Sequence, residues 1–188
     1  MGFIKTDIEG LMIYDPRVFA DERGYFMESY NRQFFEANSD INCEFVQDNE
    51  SFSGYGTLRG LHYQAGEFCQ AKLVRVIQGS VLDVAVDLRE GSKTYGHHVS
   101  VELNEENKRQ FFVPKGFAHG FVVLSEKALF SYKCDNYYSK ASEGGIKYDD
   151  PTLNIDWGVA EKDIILSEKD AILPKFGEHK SIEIKFAV

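Results

Sequence analysis

Apolar and polar residues alternate along much of this chain with a period of two. Val99, Val101 and Leu103 are separated by polar residues, the pattern of a half-buried strand. Residues 72–88 are rich in Val, Leu and Ile and are broken by Gln78-Gly79-Ser80, which predicts a strand, a turn and a second strand. Residues 111–113, 121–124 and 128–134 supply further short strands between turn residues. The N-terminal part reads as strands joined by polar turns, with one short helix near residues 33–37 behind the cap candidate Asn31. Beyond Asp149-Asp150-Pro151 the tail is less regular and is expected to wrap the strands with short helical turns. Many short strands, Gly-rich turns and little helix predict an all-β antiparallel sandwich or barrel.

Composition narrows the class. The 188 residues are expected to form one domain, 1–188, with no internal repeat, linker or low-complexity stretch. A 14% aromatic content is enough to line a pocket, and a net charge of -9 argues against general nucleic-acid binding. A local group of Arg and Lys can still dominate its own pocket. Cys43, Cys69 and Cys134 are odd in number and lack metal-ligand spacing, which fits a reducing cytoplasm better than secretion. Residues 1–11 contain Lys5, Asp7 and Glu9 and no apolar signal core, and no apolar run approaches membrane-spanning length, so a soluble cytoplasmic protein is expected.

The candidate chemistry lies in two histidine-bearing segments. Arg59-Gly60-Leu61-His62-Tyr63-Gln64 is followed eight residues later by Lys72, which puts two cations beside a histidine at the entrance to a β-rich run. Taken alone, His62 reads as a core histidine with both nitrogens satisfied. Arg59 and Lys72 tip the reading toward an anion site, since buried positive charge needs a partner. His119 follows Pro114-x-Gly116-x-x-His119, which resembles the second motif of the cupin barrels. The paired His-x-His of metal-binding cupins is missing at His62-Tyr63-Gln64, so no metal is expected and His119 reads as a hydrogen-bond donor to substrate. Tyr132 shares a strand face with Ala128 and Phe130 by alternation, where a core tyrosine is the plain reading. Ser167-Glu168-Lys169-Asp170 fits a capping pattern, so Asp170 is expected to return a bond to a helix N-terminus. His97, His98 and His179 sit among polar residues and are expected to be solvated.

Together these segments resemble the dTDP-4-dehydrorhamnose 3,5-epimerase family of metal-free, cupin-type enzymes. The likeness runs through Phe19-x-Asp21-x-Arg23-Gly24-x-Phe26-x-Glu28, Gln47-Asp48-Asn49-x-Ser51 and the Arg59 to Gln64 stretch. It continues in residues 83–89 and 116–121, Tyr132-Lys133-Cys134, Asp149-Asp150-Pro151 and Leu166-Ser167-x-Lys169-Asp170. The resemblance implies an antiparallel jelly-roll barrel with a few short helices, a homodimer whose N-terminal strands cross to the partner, and no cofactor. It implies His62 as base, oriented by Asp170, Tyr132 as acid on the opposite face, and Lys72 as the stabiliser of an enolate. Arg23, Glu28, Gln47, Asn49, Arg59, His119, Glu143 and Lys169 would hold a dTDP-4-keto-6-deoxy sugar, with Tyr138 stacked on the thymine. Ala65-Gly66-Glu67-Phe68-Cys69 replaces the family's usual proline-containing loop. A sibling enzyme inverting only C3 or only C5, a metal-dependent cupin and a non-catalytic sugar-binding cupin are the competing classes.

Overall fold

The computed structural model describes residues 2–39, 41 and 43–182. Its strands are β1 (Gly2–Lys5), β2 (Met12–Asp15), β3 (Phe19–Asp21), β4 (Gly24–Phe26), β5 (Gln47–Gly54) and β6 (Leu58–Gln64). They continue as β7 (Lys72–Gln78), β8 (Ser80–Asp87), β9 (His98–Asn104), β10 (Gln110–Val113), β11 (Phe117–Val123), β12 (Lys127–Cys134) and β13 (Glu143–Gly145). Two antiparallel sheets carry the fold, in the orders β1-β2-β10-β7-β12-β5 and β13-β6-β11-β8-β9, and β3 pairs only with β4. This is the jelly-roll arrangement the sequence implied.

Strand alternation decides where the core sits. Val74, Val76, Phe111, Ala128 and Phe130 from the first sheet pack with Val81, Ala85, Leu103, Phe117 and Phe121 from the second, so these positions face one another between the sheets. Their neighbours point outward. Leu73 and Phe112 pack beneath α1 (Arg32–Asn38), while Leu61, Tyr63, Val84, Val86 and Val122 are covered by Ile146, Leu153 and Trp157 of the later chain. Both sheets are therefore apolar on two faces. Phe111 and Phe130 are almost wholly buried, and truncating either to Ala should cost about 3–5 kcal/mol.

The helix forms where the cap residue predicted it. Asn31 accepts a bond from the Phe34 amide at 3.1 Å, and Phe35 is buried. Seven residues are too few to be stable alone, so packing on the sheet holds α1 in place. Three expectations need correction. The strand expected at 121–124 starts earlier, at Phe117, because β11 pairs with β8 on one side and β6 on the other and all its residues are buried. His179 is not solvated: it stacks on Phe176, with centroids 5.4 Å apart, and meets the edge of Tyr63. His98 is partly buried at the start of β9, and that burial lowers its pKa.

Candidate active site

The same alternation that builds the core carries polar groups inward at one end of the sheets. On β6, Leu61 and Tyr63 belong to the outer cluster, so His62 points between the sheets. On β11, Phe117 and Phe121 belong to the inner core, so His119 does the same, directly across from His62. A glycine pair makes this close pairing possible. A Cβ on Gly60 would sit 2.5 Å from the Gly120 Cα, and one on Gly120 would sit 2.8 Å from the Arg59 carbonyl oxygen. The register shifts at this point, between His119 and Phe121. From the facing sheet, Lys72 shares its inward side with Val74, and Tyr132 with Phe130.

These groups line a cavity of about 490 Å³ together with Ser51, Arg59, Phe121, Phe130, Lys169 and Asp170. A second recess of about 350 Å³ shares His62, Lys72 and Tyr132 and adds Gln47, Asn49, Tyr138 and Glu143. The two spaces meet at the His62, Lys72 and Tyr132 side chains.

Each inward histidine faces a buried carboxylate. His62 Nε2 lies 2.6 Å from Asp170 Oδ1, and His119 Nε2 lies 2.8 and 3.0 Å from the two oxygens of Asp83. Burial alone would raise the Asp170 carboxyl. The hydrogen bond and charge of His62, with help from Ser167 and Lys169, outweigh it and hold Asp170 below the usual carboxylate range. The expected role of Asp170 as a cap is thereby corrected. Ser167 does cap α2 (Glu168–Ala171), accepting from the Asp170 amide at 3.1 Å, but the Asp170 carboxylate turns inward to His62.

The facing groups are tuned in opposite directions. Burial lowers the pKa of the Lys72 ammonium, against upward pulls from Cys134, Asp83 and Glu143. Burial also raises the Tyr132 phenol, with Cys134 adding to it and Arg59 opposing. Tyr132 therefore holds its proton near neutral pH. Lys72 Nζ lies 5.9 Å from the centre of the Tyr132 ring.

Around the rim, Arg59 donates from Nε to Ser53 Oγ at 3.1 Å, leaving the outer part of its guanidinium at the cavity. Gln47 donates to Asn49 at 2.8 Å, and Asn49 pairs across strands with Tyr132. Glu143 joins Lys169 in an ion pair and accepts from Tyr138 at 3.1 Å. Two predicted residues lie elsewhere. Arg23 pairs with Asp21 on the exposed β3–β4 hairpin, and Glu28 accepts from Asn31 at the start of α1. Neither lines this chain's cavity.

Sequence reasoning gave no role to Asp83 or Ser51. Asp83 shares the inner face of β8 with Ala85, so alternation could have found it. Ser51 continues the inward row of Gln47 and Asn49, and its buried Oγ has no hydrogen-bond partner among the described residues. A cavity with a carboxylate-bound imidazole on one wall, a protonated phenol on the other and cations beside them can move protons on a polar, anionic molecule.

Comparison with known proteins agrees with this chemistry. Residues 5–178 match the family model described as dTDP-4-dehydrorhamnose 3,5-epimerase. The chain is 52% identical over 176 residues to the dTDP-4-dehydrorhamnose 3,5-epimerase of Shigella flexneri, covering 94% of this chain and 96% of that protein. The crystal structure of the enzyme of that name from Elizabethkingia anophelis NUHP1 superposes with a TM-score of 0.91 at 57% identity, covering 95% and 97% of the two chains. The dTDP-6-deoxy-D-glucose-3,5-epimerase of Legionella pneumophila Philadelphia 1, solved in complex with dTDP-4-keto-L-rhamnose, also gives 0.91, at 51% identity and coverages of 94% and 93%.

Proposed function

We propose a reaction for this cavity from one premise: the chain belongs to the dTDP-4-dehydrorhamnose 3,5-epimerase family. The reaction is inversion of C3 and C5 of dTDP-4-dehydro-6-deoxy-D-glucose, giving dTDP-4-dehydro-L-rhamnose. The observation that carries it is the placement of His62 and Tyr132 on facing sheets around one cavity.

The 4-keto group acidifies the hydrogens on C3 and C5. Inversion needs a base on one face of the carbon and an acid on the other. Imidazole is the usual proton-transfer group near neutral pH, and His62 takes the part of the base. Asp170 on Nε2 fixes the tautomer, leaves Nδ1 for the substrate proton, and stabilises the imidazolium once formed. Removal of the proton moves charge onto the C4 oxygen, where the Lys72 ammonium stabilises the enolate. Tyr132 then returns a proton to the opposite face.

Arg59 meets the diphosphate, whose oxygens suit a forked guanidinium. His119, its Nε2 held by Asp83, presents Nδ1 to a sugar hydroxyl as an acceptor rather than as the expected donor. Gln47, Asn49, Glu143 and Lys169 hold the nucleotide end, with the Tyr138 ring on the thymine. Arg23 and Glu28 act in a homodimer, reaching the partner's cavity. The support is their distance from this one and the exposure of Phe19, Tyr25 and Phe26 on an otherwise unpaired hairpin. We take residues 1–188 as one epimerase domain needing no cofactor, working in the cytoplasm. Free cysteines fit that compartment, and no described helix is long and apolar enough to cross a membrane.

Incubation with dTDP-4-keto-6-deoxyglucose in deuterated water tests the reaction. Proton NMR should show deuterium at both C3 and C5 of an L-configured product. Exchange at one carbon only would reassign the chain to a mono-epimerase, and no exchange would reduce it to a sugar-binding protein.

A further inference from the structure

Asp150 belongs to a sequence motif that the reaction leaves unused, and among the described residues it is the most deeply buried carboxylate outside the cavity with no ion pair to a basic side chain. It is 3% exposed, and its partners are three backbone amides and the Thr152 side chain. Oδ1 accepts from Thr152 at 2.8 Å and Leu153 at 3.3 Å, closing the turn in which Asp150 sits. Oδ2 accepts from the amide of Phe176 at 2.9 Å, 26 residues away. Burial pushes this carboxyl up, and the three amides together with the Thr152 side chain pull it down further, so it stays ionised.

The Phe176 contact matters because of what lies just before it. Asp170 sits on α2, a helix of four residues, far too short to hold its own position. Its place is set by anchors on either side. Upstream, Ile165 forms an isolated bridge to Thr57 at the foot of β6, with bonds of 2.9 Å to Gly56 and Leu58. Downstream, the Pro174 carbonyl accepts from Lys147 at 2.8 Å and the Phe176 amide is held by Asp150. Leu173 lies so close over Gly145 that a Cβ there would sit 2.7 Å from its Cδ2, and Gly145 pairs with His62. Both anchors thus refer α2 to the strand that carries His62.

We propose that Asp150 is a positioning residue for proton abstraction: it tethers the segment behind α2 so that the Asp170 carboxylate stays on His62 Nε2. This rests on the roles given above to His62 and Asp170. Asp150→Asn is the sharpest perturbation. A carboxamide keeps one acceptor oxygen, and Oδ1 already serves two amides. The NH2 group therefore turns toward Phe176, donor against donor, and releases the tether. The His62–Asp170 contact then loosens although no cavity residue has been substituted.

The test is a double-mutant cycle on kcat and KM. Asp150→Asn should lower kcat roughly ten- to hundredfold with KM little changed, as misplacement of a catalytic group does. In an Asp170→Asn background the same substitution should change kcat by less than about twofold, because the positioned group is already gone. Leu173→Ala, which loosens the same tether at a half-buried site, should repeat the pattern if Asp150→Asn does not fold. Full independent losses in both backgrounds, or a lower Tm with wild-type kcat, would overturn the proposal and leave the dyad standing. An Asp170→Asn enzyme with wild-type kcat would instead remove the dyad, and this role of Asp150 with it.

Discussion

Lys72→Met separates what this chain needs to react from what it needs to fold. Met keeps most of the aliphatic stem of Lys72 and deletes the ammonium between His62 and Tyr132. Losing a preorganised donor at a developing oxyanion costs about 2.7–4 kcal/mol of barrier, or about 10²–10³ in kcat. Stability should move the other way. Burial depresses the Lys72 pKa, so the folded protein spends free energy keeping the cation out of water. Removing it should leave Tm unchanged or raise it by about 2–4 °C, the equivalent of about 1 kcal/mol at this chain length. The pH dependence follows from the sign of the shift. The unfolded chain binds the Lys72 proton more tightly than the folded one, so the wild-type penalty is full at low pH. It is relieved as pH rises from the folded pKa toward about 10.4. The Tm gap between variant and wild type should therefore narrow with rising pH in calorimetric scans. A variant that loses several degrees and keeps its kcat would refute the assignment and make Lys72 a structural cation.

Arg59→Ala should weaken binding of dTDP itself by about 1.5–3 kcal/mol, the range for hydrogen bonds to charged groups. Wild-type affinity in titration calorimetry would move Arg59 from the phosphate to the fold or the sugar. Gly120→Ala should cost both Tm and kcat, because its new Cβ would sit 2.8 and 2.9 Å from backbone atoms of Arg59 and Gly60, which cannot swing aside; a crystal structure with unmoved His62 and His119 would contradict this. Asp87, Asp150 and Asp170 all have depressed pKa values, held down by Arg89, Thr94 and Ser92, by backbone amides and by His62 against the upward pull of burial. Their stabilisation is complete above the unfolded carboxylate value near 3.9 and is lost as pH falls through the lower folded values. Acid unfolding followed by circular dichroism should therefore start below about pH 4, and loss of structure already at pH 5–6 would sink that linkage.

Alternation makes most of the fold legible, since positions such as 73/74 and 111/112 send one residue to each face. It also places Tyr132 on the inner face beside Phe130 from the sequence pattern alone. The cap at Asn31 could be read because it is local, three residues from the amide it binds. The pattern reading of Asp170 as a cap failed for the converse reason, while the family resemblance had already paired it with His62. Its capping pattern is local and genuine at Ser167, yet its carboxylate answers to a histidine 108 residues away. Asp83 escaped notice likewise, since a strand aspartate looks solvent-facing until the sheet covering it is known. The continuous strand through His119 depends on pairing to both β6 and β8. Arg23 and Glu28 do not line this chain's cavity, and the roles proposed for them rest on the homodimer proposed above.

The most direct test of two-faced proton transfer is the reaction of a folded Tyr132→Phe enzyme in deuterated water, followed by proton NMR. The ring and its packing remain while the only donor assigned to the second face is removed. His62 should still form the enolate, so deuterium should enter with the original configuration retained, returned from the His62 side. Inversion should fall by about 10²–10⁴, the usual worth of a positioned acid. Inversion at the wild-type rate would contradict the account and give the second proton to water or to another residue.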